Sequence, residues 1–251
     1  MNRIDPRSRW IEYLAEHLGI ALLPDDNYAV GGATTGSYNV NNGELDHQKY
    51  PGLQQQIEAF LTAGGPEAVD PEALYVVWIG ANDLLVLAAT ERDPEDSIRE
   101  RVSNTVQAIR VLRQAGARHF LLLNVPDLGL TPDGLASGRS EAFTALVTAY
   151  NLVLADALEV LAESGIAAIQ VDAFAVLQAM VNSREQFGFT DVKQALCEID
   201  GDPNRFLFWD KVHPTTRGHE VLAGAARERL ADQFTSRPGA QRHAPVLDMA
   251  P

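Results

Sequence analysis

One cysteine, Cys197, stands among 251 residues, which excludes any internal disulfide. Its simplest reading is a small apolar residue rather than a catalytic thiol. No run of 18 strictly apolar residues occurs, so no spanning helix is expected. Positive charge is scarce: 20 Lys and Arg stand against 34 Asp and Glu, for a net charge of −14. That balance disfavours a nucleic-acid or anionic-membrane partner, and it leaves an uncharged small-molecule substrate open. The N-terminal residues lead straight into an amphipathic helix pattern, so no secretory leader is expected.

What is present reads as an α/β chain. Trp10, Ile11, Leu14, Ala15 and Leu18 fall on one helical face that Gly19 can end. Asn27–Val30 reads as a short strand leading into the turn Gly31-Gly32. Residues 33–50 read as a polar loop. A helix is expected from Leu53 to Leu61, closed by Gly64-Gly65-Pro66. The continuous apolar runs Ala73–Ile79 and Phe120–Val125 suit strands buried on both faces. Between them Asp93 and Pro94 start a helix whose apolar positions Ile98, Val102, Val106, Ile109 and Leu112 end at Gly116. A long helix is expected over about 140–164, and Ile166–Val171 is the last strand candidate. Leu222, Ala226, Leu230 and Phe234 mark a closing helix. Strands alternating with helices imply a parallel sheet flanked by helices on both faces. With no internal repeat or linker, one domain over about 1–236 is expected, then a loose tail over 237–251.

Three motifs lie at strand ends, where open parallel sheets bind ligands. The first is Asn27–Thr35. Its glycines could aim a backbone N–H at an anion, although any tight turn needing positive φ uses glycine too. Gly31–Ser37 nearly matches a phosphate loop but lacks the lysine, which argues against nucleotide binding. The second is Gly80-Ala-Asn-Asp-Leu84, where Asn82 offers a side-chain amide at the strand exit and could equally be an ordinary turn residue. The third is Asp210-Lys-Val-His213, followed by Pro214-Thr-Thr-Arg-Gly-His219. A carboxylate that orients an imidazole is half of a charge-relay hydrolase. A metal site built on Asp210, His213 and His219 lacks a supporting Cys or Glu cluster, so neither a metal nor a cofactor is expected.

In order and spacing these motifs resemble the GDSL (SGNH) esterase/lipase superfamily, most closely its bacterial lipase-like branch. Asn124–Pro132 and Trp10–Gly19 look like the same branch, so the likeness runs from about residue 10 to 235. The resemblance implies a flavodoxin-like, SGNH-hydrolase-like fold and carboxylic ester hydrolysis on a small-molecule or lipid ester. It implies that Gly32 supplies a backbone N–H and Asn82 a side-chain N–H to an oxyanion hole. It makes His213 the general base and Asp210 its orienting acid. The family's nucleophile is the serine of a Gly-Asp-Ser-Leu block after the first strand, and no Gly-Asp-Ser or Gly-x-Ser-x-Gly occurs here. The expectation is therefore a sheet without its first central strand and a nucleophile outside this chain. Three explanations fit: a fragment or a chain that starts at an internal Met (the favoured one), an inactive relative that closes its sheet differently, or another segment or subunit filling the gap. Ser37 and Ser8 are the nearest substitutes, and neither sits in a strand-to-helix elbow. The alternative function is a non-catalytic binding module that keeps the oxyanion pocket. Relatives are often exported, and the compartment is left open.

Overall fold

A computed structural model describes residues 9–20, 22, 26–42, 50–63, 69–90 and 94–234. Ser8, Asp93, Gly64-Gly65-Pro66 and the 237–251 tail lie outside the described residues. The chain divides into two compact units. One gathers the described residues of 22–125 and 146–170, and the other those of 9–21, 126–145 and 171–238.

The first unit is built on β1 (Leu74–Trp78), β2 (His119–Leu123) and β3 (Ala168–Val171), in the order β1-β2-β3. β1 and β2 run parallel, in register from Leu74–His119 to Trp78–Leu123. Tyr75, Val76, Val77 and Trp78 are consecutively buried, as are Phe120 to Leu123. Neighbouring side chains on a strand point to opposite faces, so such a run requires cover on both. The order is that of the last three strands of a flavodoxin-like 2-1-3-4-5 sheet. Among the described residues no strand lies on the other edge of β1.

The segment expected as a strand at Asn27–Val30 is irregular; only Asn27 makes a bridge. Asn27 Oδ1 accepts the Ala29 N–H at 2.9 Å. That local bond competes with the ladder for the same backbone. Helix α2 spans Leu53–Ala63, and α3 spans Ala81–Ala88 directly after β1. The amide of Asn82 therefore sits in a first helical turn rather than in an open strand exit. α4 (Pro94–Ala115) buries the expected stripe Ile98, Val102, Val106, Ile109 and Leu112, and Gly116 follows it at φ 123°.

The long α6 (Ser140–Glu163) is, by length and composition, apolar enough to cross a bilayer. The sequence reading missed this because Thr, Asn and Asp interrupt the apolar run. A single such helix is weak evidence for a span. Val147, Tyr150, Leu154, Leu158 and Leu161 are buried at the spacing of one helical stripe. Asn151 on α6 also fastens the end of β2's run. Its Oδ1 accepts the Val125 N–H at 3.0 Å and its Nδ2 donates to the Val125 carbonyl at 2.8 Å.

In the second unit α1 (Trp10–Leu18) packs on α8 (Thr216–Phe234). Gly19 ends α1 in the left-handed region at φ 65°, as a C-terminal glycine does. Short α5 (Pro132–Ala136) and α7 (Ala173–Asn182) complete the helices. Two strands follow the one expected to be last: β4 (Asp191–Ala195) and β5 (Phe206–Phe208), parallel to each other. β4 escapes a hydrophobicity reading because Lys193 and Gln194 face solvent. Leu177, Met180, Phe189, Val192, Leu207 and Phe208 form the core beneath this small sheet.

Gly80 joins β1 to α3 at φ 115°. A Cβ there would lie 2.7 Å from the Tyr150 hydroxyl and 3.0 Å from Val125 Cγ2. Gly80→Ala is expected to cost about 2–4 kcal/mol from strain and overpacking together, read as a lower urea midpoint. A loss within about 0.5 kcal/mol, the usual range for an inert site, would show that this joint is slack.

Candidate active site

Asp210 and His213 lie on the loop between β5 and α8. The loop is stapled by its own backbone. Trp209 N–H donates to the His213 carbonyl at 2.8 Å, and Thr215 N–H to the Leu207 carbonyl at 2.8 Å. Thr215 Oγ1 donates to the Phe206 carbonyl at 2.7 Å. Neighbouring segments brace it, with Cys197 N–H on the Trp209 carbonyl and Asp133 N–H on the Lys211 carbonyl.

Within that frame one carboxylate gathers three donors. Asp210 Oδ1 accepts the N–H of Val212 at 2.9 Å and of His213 at 2.7 Å. Its Oδ2 lies 2.7 Å from His213 Nδ1. A carboxylate can only accept, so the neutral ring carries its proton on Nδ1, and Nε2 is its unprotonated nitrogen. Burial alone would raise the Asp210 carboxyl. The hydrogen bonds from the His213 ring, the His213 N–H and the Val212 N–H outweigh it and hold the group down at about 2.

His219 is one turn into α8, its N–H on the Thr215 carbonyl at 3.0 Å. Its Nδ1 is shut from solvent with no hydrogen-bond partner. Burial first, then the positive charges of His213 and Arg9, lower it to about 4, so it stays neutral. Among the described residues no group of three or more His, Cys, Asp or Glu side chains is arranged to hold a metal ion.

Gly32 and Asn82 belong to the other unit, and there the structure brings them together. Gly32 is buried at φ 83°. A Cβ on it would run into the side chains of Asn41 and Asn39, so only glycine fits. Those asparagines build the turn. Asn39 Nδ2 donates to the carbonyls of Gly31 and Pro51, and Asn41 Nδ2 to that of Gly31 at 2.9 Å. Among the described residues the Gly32 N–H has no backbone or side-chain acceptor. Asn82 is buried, and its Nδ2 donates to the Ala33 carbonyl at 3.0 Å. One amide hydrogen is thereby committed to the backbone of the turn. Ser37 is exposed in the same loop.

Sequence reasoning passed over Thr35 and Asp83, although each stands within a motif already singled out. Both Thr35 polar groups bond to the Asp83 carboxylate.

Parallel sheets flanked by helices, with an Asp–His pair on the loop after β5, define an α/β protein with the architecture of SGNH hydrolases. The GDSL-like Lipase/Acylhydrolase pattern matches residues 2–226, and the chain belongs to that family, which supports an ester hydrolase function. It is 24% identical to a phosphatidylcholine-sterol acyltransferase of Aeromonas hydrophila, over 90% of this chain and 79% of that protein. It is 28% identical to an acetylesterase of Thermothelomyces thermophilus, over 90% of this chain and 75% of that one. An aryl esterase of M. smegmatis shares the fold, with a TM-score of 0.54 at 16% identity, over 92% of this chain and 88% of that chain.

The signs of the two pKa shifts give a pH dependence. His219 is lowered from 6.5 to about 4, so the folded state binds fewer protons than the unfolded one between those values. Its contribution to stability is complete above 6.5 and is lost as pH falls toward 4. Asp210, lowered from 3.8 to about 2, contributes fully above 3.8 and loses its contribution only as pH falls further, toward 2. Asp83, raised from 3.8 to about 6 by burial, acts with the opposite sign over the same window, so the His219 contribution is read by difference: the urea midpoint of the parent relative to that of His219→Phe is expected to fall from pH 6.5 to 4. An unchanged slope in the variant would place the titration elsewhere.

Proposed function

We propose that this chain carries the acid–base pair and the oxyanion donors of a serine ester hydrolase. The observation that carries the reading is the Asp210–His213 pair, held at 2.7 Å on a braced loop, in a chain of the GDSL family. His213 Nε2 takes the proton of an attacking alcohol and then returns it to the departing alkoxide. Asp210 holds the tautomer and stabilises the imidazolium while it lasts. The Gly32 N–H and the Asn82 amide stabilise the tetrahedral oxyanion, each donor contributing roughly 3–4 kcal/mol. An acyl-enzyme forms on the nucleophile, and water releases it.

The substrate class is an oxygen ester of a carboxylic acid, in keeping with relatives named for acetyl esters and for a phosphatidylcholine-sterol acyl donor. No residue of this chain is assigned as nucleophile, since Gly-Asp-Ser does not occur in it. That same observation favours a second reading, a binding module that takes carboxylates or esters without turnover.

Hydrolysis of p-nitrophenyl butyrate separates the two. The 251-residue chain alone is expected to run near background. Supplied with a strand ending in Gly-Asp-Ser-Leu ahead of Trp10, it is expected to turn over. His213→Ala in that form should then lower kcat by about a thousandfold or more. Near-full activity in that variant would remove His213 from the mechanism. No turnover in the extended form would support the binding module. Turnover by the chain alone that disappears on Ser37→Ala would make Ser37 the nucleophile.

A further inference from the structure

A buried carboxylate with no part in the proposed chemistry sits where the two donor-bearing segments meet. Asp83 follows Asn82 in the first turn of α3 and is 4% exposed. Its Oδ2 accepts the Thr35 N–H at 2.9 Å, and its Oδ1 accepts the Thr35 hydroxyl at 2.8 Å. Thr35 is fully buried and lies three residues past Gly32. From α4, Arg101 Nε lies 3.5 Å from Asp83 Oδ1 and itself makes no hydrogen bond. Asn104 Nδ2 donates to Thr35 Oγ1 at 3.4 Å. From α6, the buried Tyr150 feels the Asp83 charge, and burial keeps its phenol neutral.

A buried ionised group is costly unless it is well paired. An asparagine of the same size would avoid the charge, but it offers one acceptor oxygen, not two. A carboxylate takes the N–H on one oxygen and the O–H on the other, as Asp83 does here. That grip falls on a turn which needs it. Gly31-Gly32 has no Cβ to limit its backbone, whereas donors aimed at an oxyanion act only when held in advance within about 0.5 Å. Asn82 ties residue 33 of this turn through the Ala33 carbonyl, and Asp83 ties residue 35. Other bonds close the turn on its own loop; these two fix it to α3.

We propose that Asp83 is a positioning residue for the oxyanion donors, latching the Gly31–Thr35 turn to α3 through both polar groups of Thr35. This rests on the reading of Gly32 and Asn82 as the donor pair. The latch acts only while Asp83 is ionised, because a proton on either oxygen removes one acceptor. Burial raises the Asp83 carboxyl to about 6, against the lowering effect of the Thr35 hydrogen bonds and Arg101. Tyr150 stays neutral near pH 6, and the Glu100 carboxylate beside Arg101 is exposed. Asp83 is therefore the group that changes.

The test uses ¹⁵N-labelled 251-residue chain and butyrate as probe. The Thr35 amide, the Gly32 amide and the Asn82 side-chain amide should titrate together with a midpoint near 6, and Asp83→Asn should abolish all three titrations. At pH 7.5 butyrate should shift Gly32 and Asn82, with at least tenfold weaker binding in Thr35→Val and binding within twofold of the parent in Thr35→Ser. The threonine pair carries the test if Asp83→Asn does not fold. Thr35 titrating alone, or full butyrate binding by Thr35→Val, overturns the positioning role. Butyrate that leaves Gly32 and Asn82 unmoved in the parent chain removes the donor-pair reading and the positioning role with it. That failure is distinct, because a mere lack of coupling would leave butyrate binding intact.

Discussion

The Asp210 carboxylate is the constraint on which the site depends. It sets the tautomer of the His213 ring, which stands on a loop. Three hydrogen bonds converge on its two oxygens. The ring and the backbone that carries it are fixed by the same group. The two side chains are about a third exposed, 32% for Asp210 and 36% for His213, so solvent screens their contact and it adds little to stability. The arrangement serves orientation, and it leaves the ring accessible from solvent.

Two aspartates show how environment divides one residue type between tasks. Asp210 is partly open and receives donors from its own loop, so its charge is favoured well below neutral pH. Asp83 is buried, with two bonds from a single threonine and one side-on arginine, so its charge is held only above about 6. The first orients a base. The second binds a segment, and its grip depends on acidity. Neither role follows from the residue name; each follows from how many donors offset the loss of water.

How much was legible follows from distance along the chain. Asp210 and His213 are three residues apart, and the motif that holds them could be read directly. β1 and β2 were legible because strands covered on both faces carry unbroken apolar runs. α4 and α8 were legible from their periodicity. β4 was hidden because polar Lys193 and Gln194 face water between the buried Val192 and Ala195, and Asp191 accepts the Lys193 and Gln194 N–H groups. The strand expected at Asn27–Val30 gave way to a side-chain bond of the same local kind. Asn82 was legible as an amide donor but not as part of a helix, since Gly80 before it suggested a turn. The Thr35–Asp83 clamp could not be read, because its partners are 48 residues apart and nothing in their spacing announces a contact.

The central claim is that the Asp210 carboxylate fixes the tautomer of the His213 ring. ¹⁵N spectra of the neutral imidazole test it most directly. The expected result is a proton on Nδ1 in the parent chain and a shift toward the Nε2-protonated tautomer in Asp210→Ala. A parent ring that carries its proton on Nε2 would contradict it.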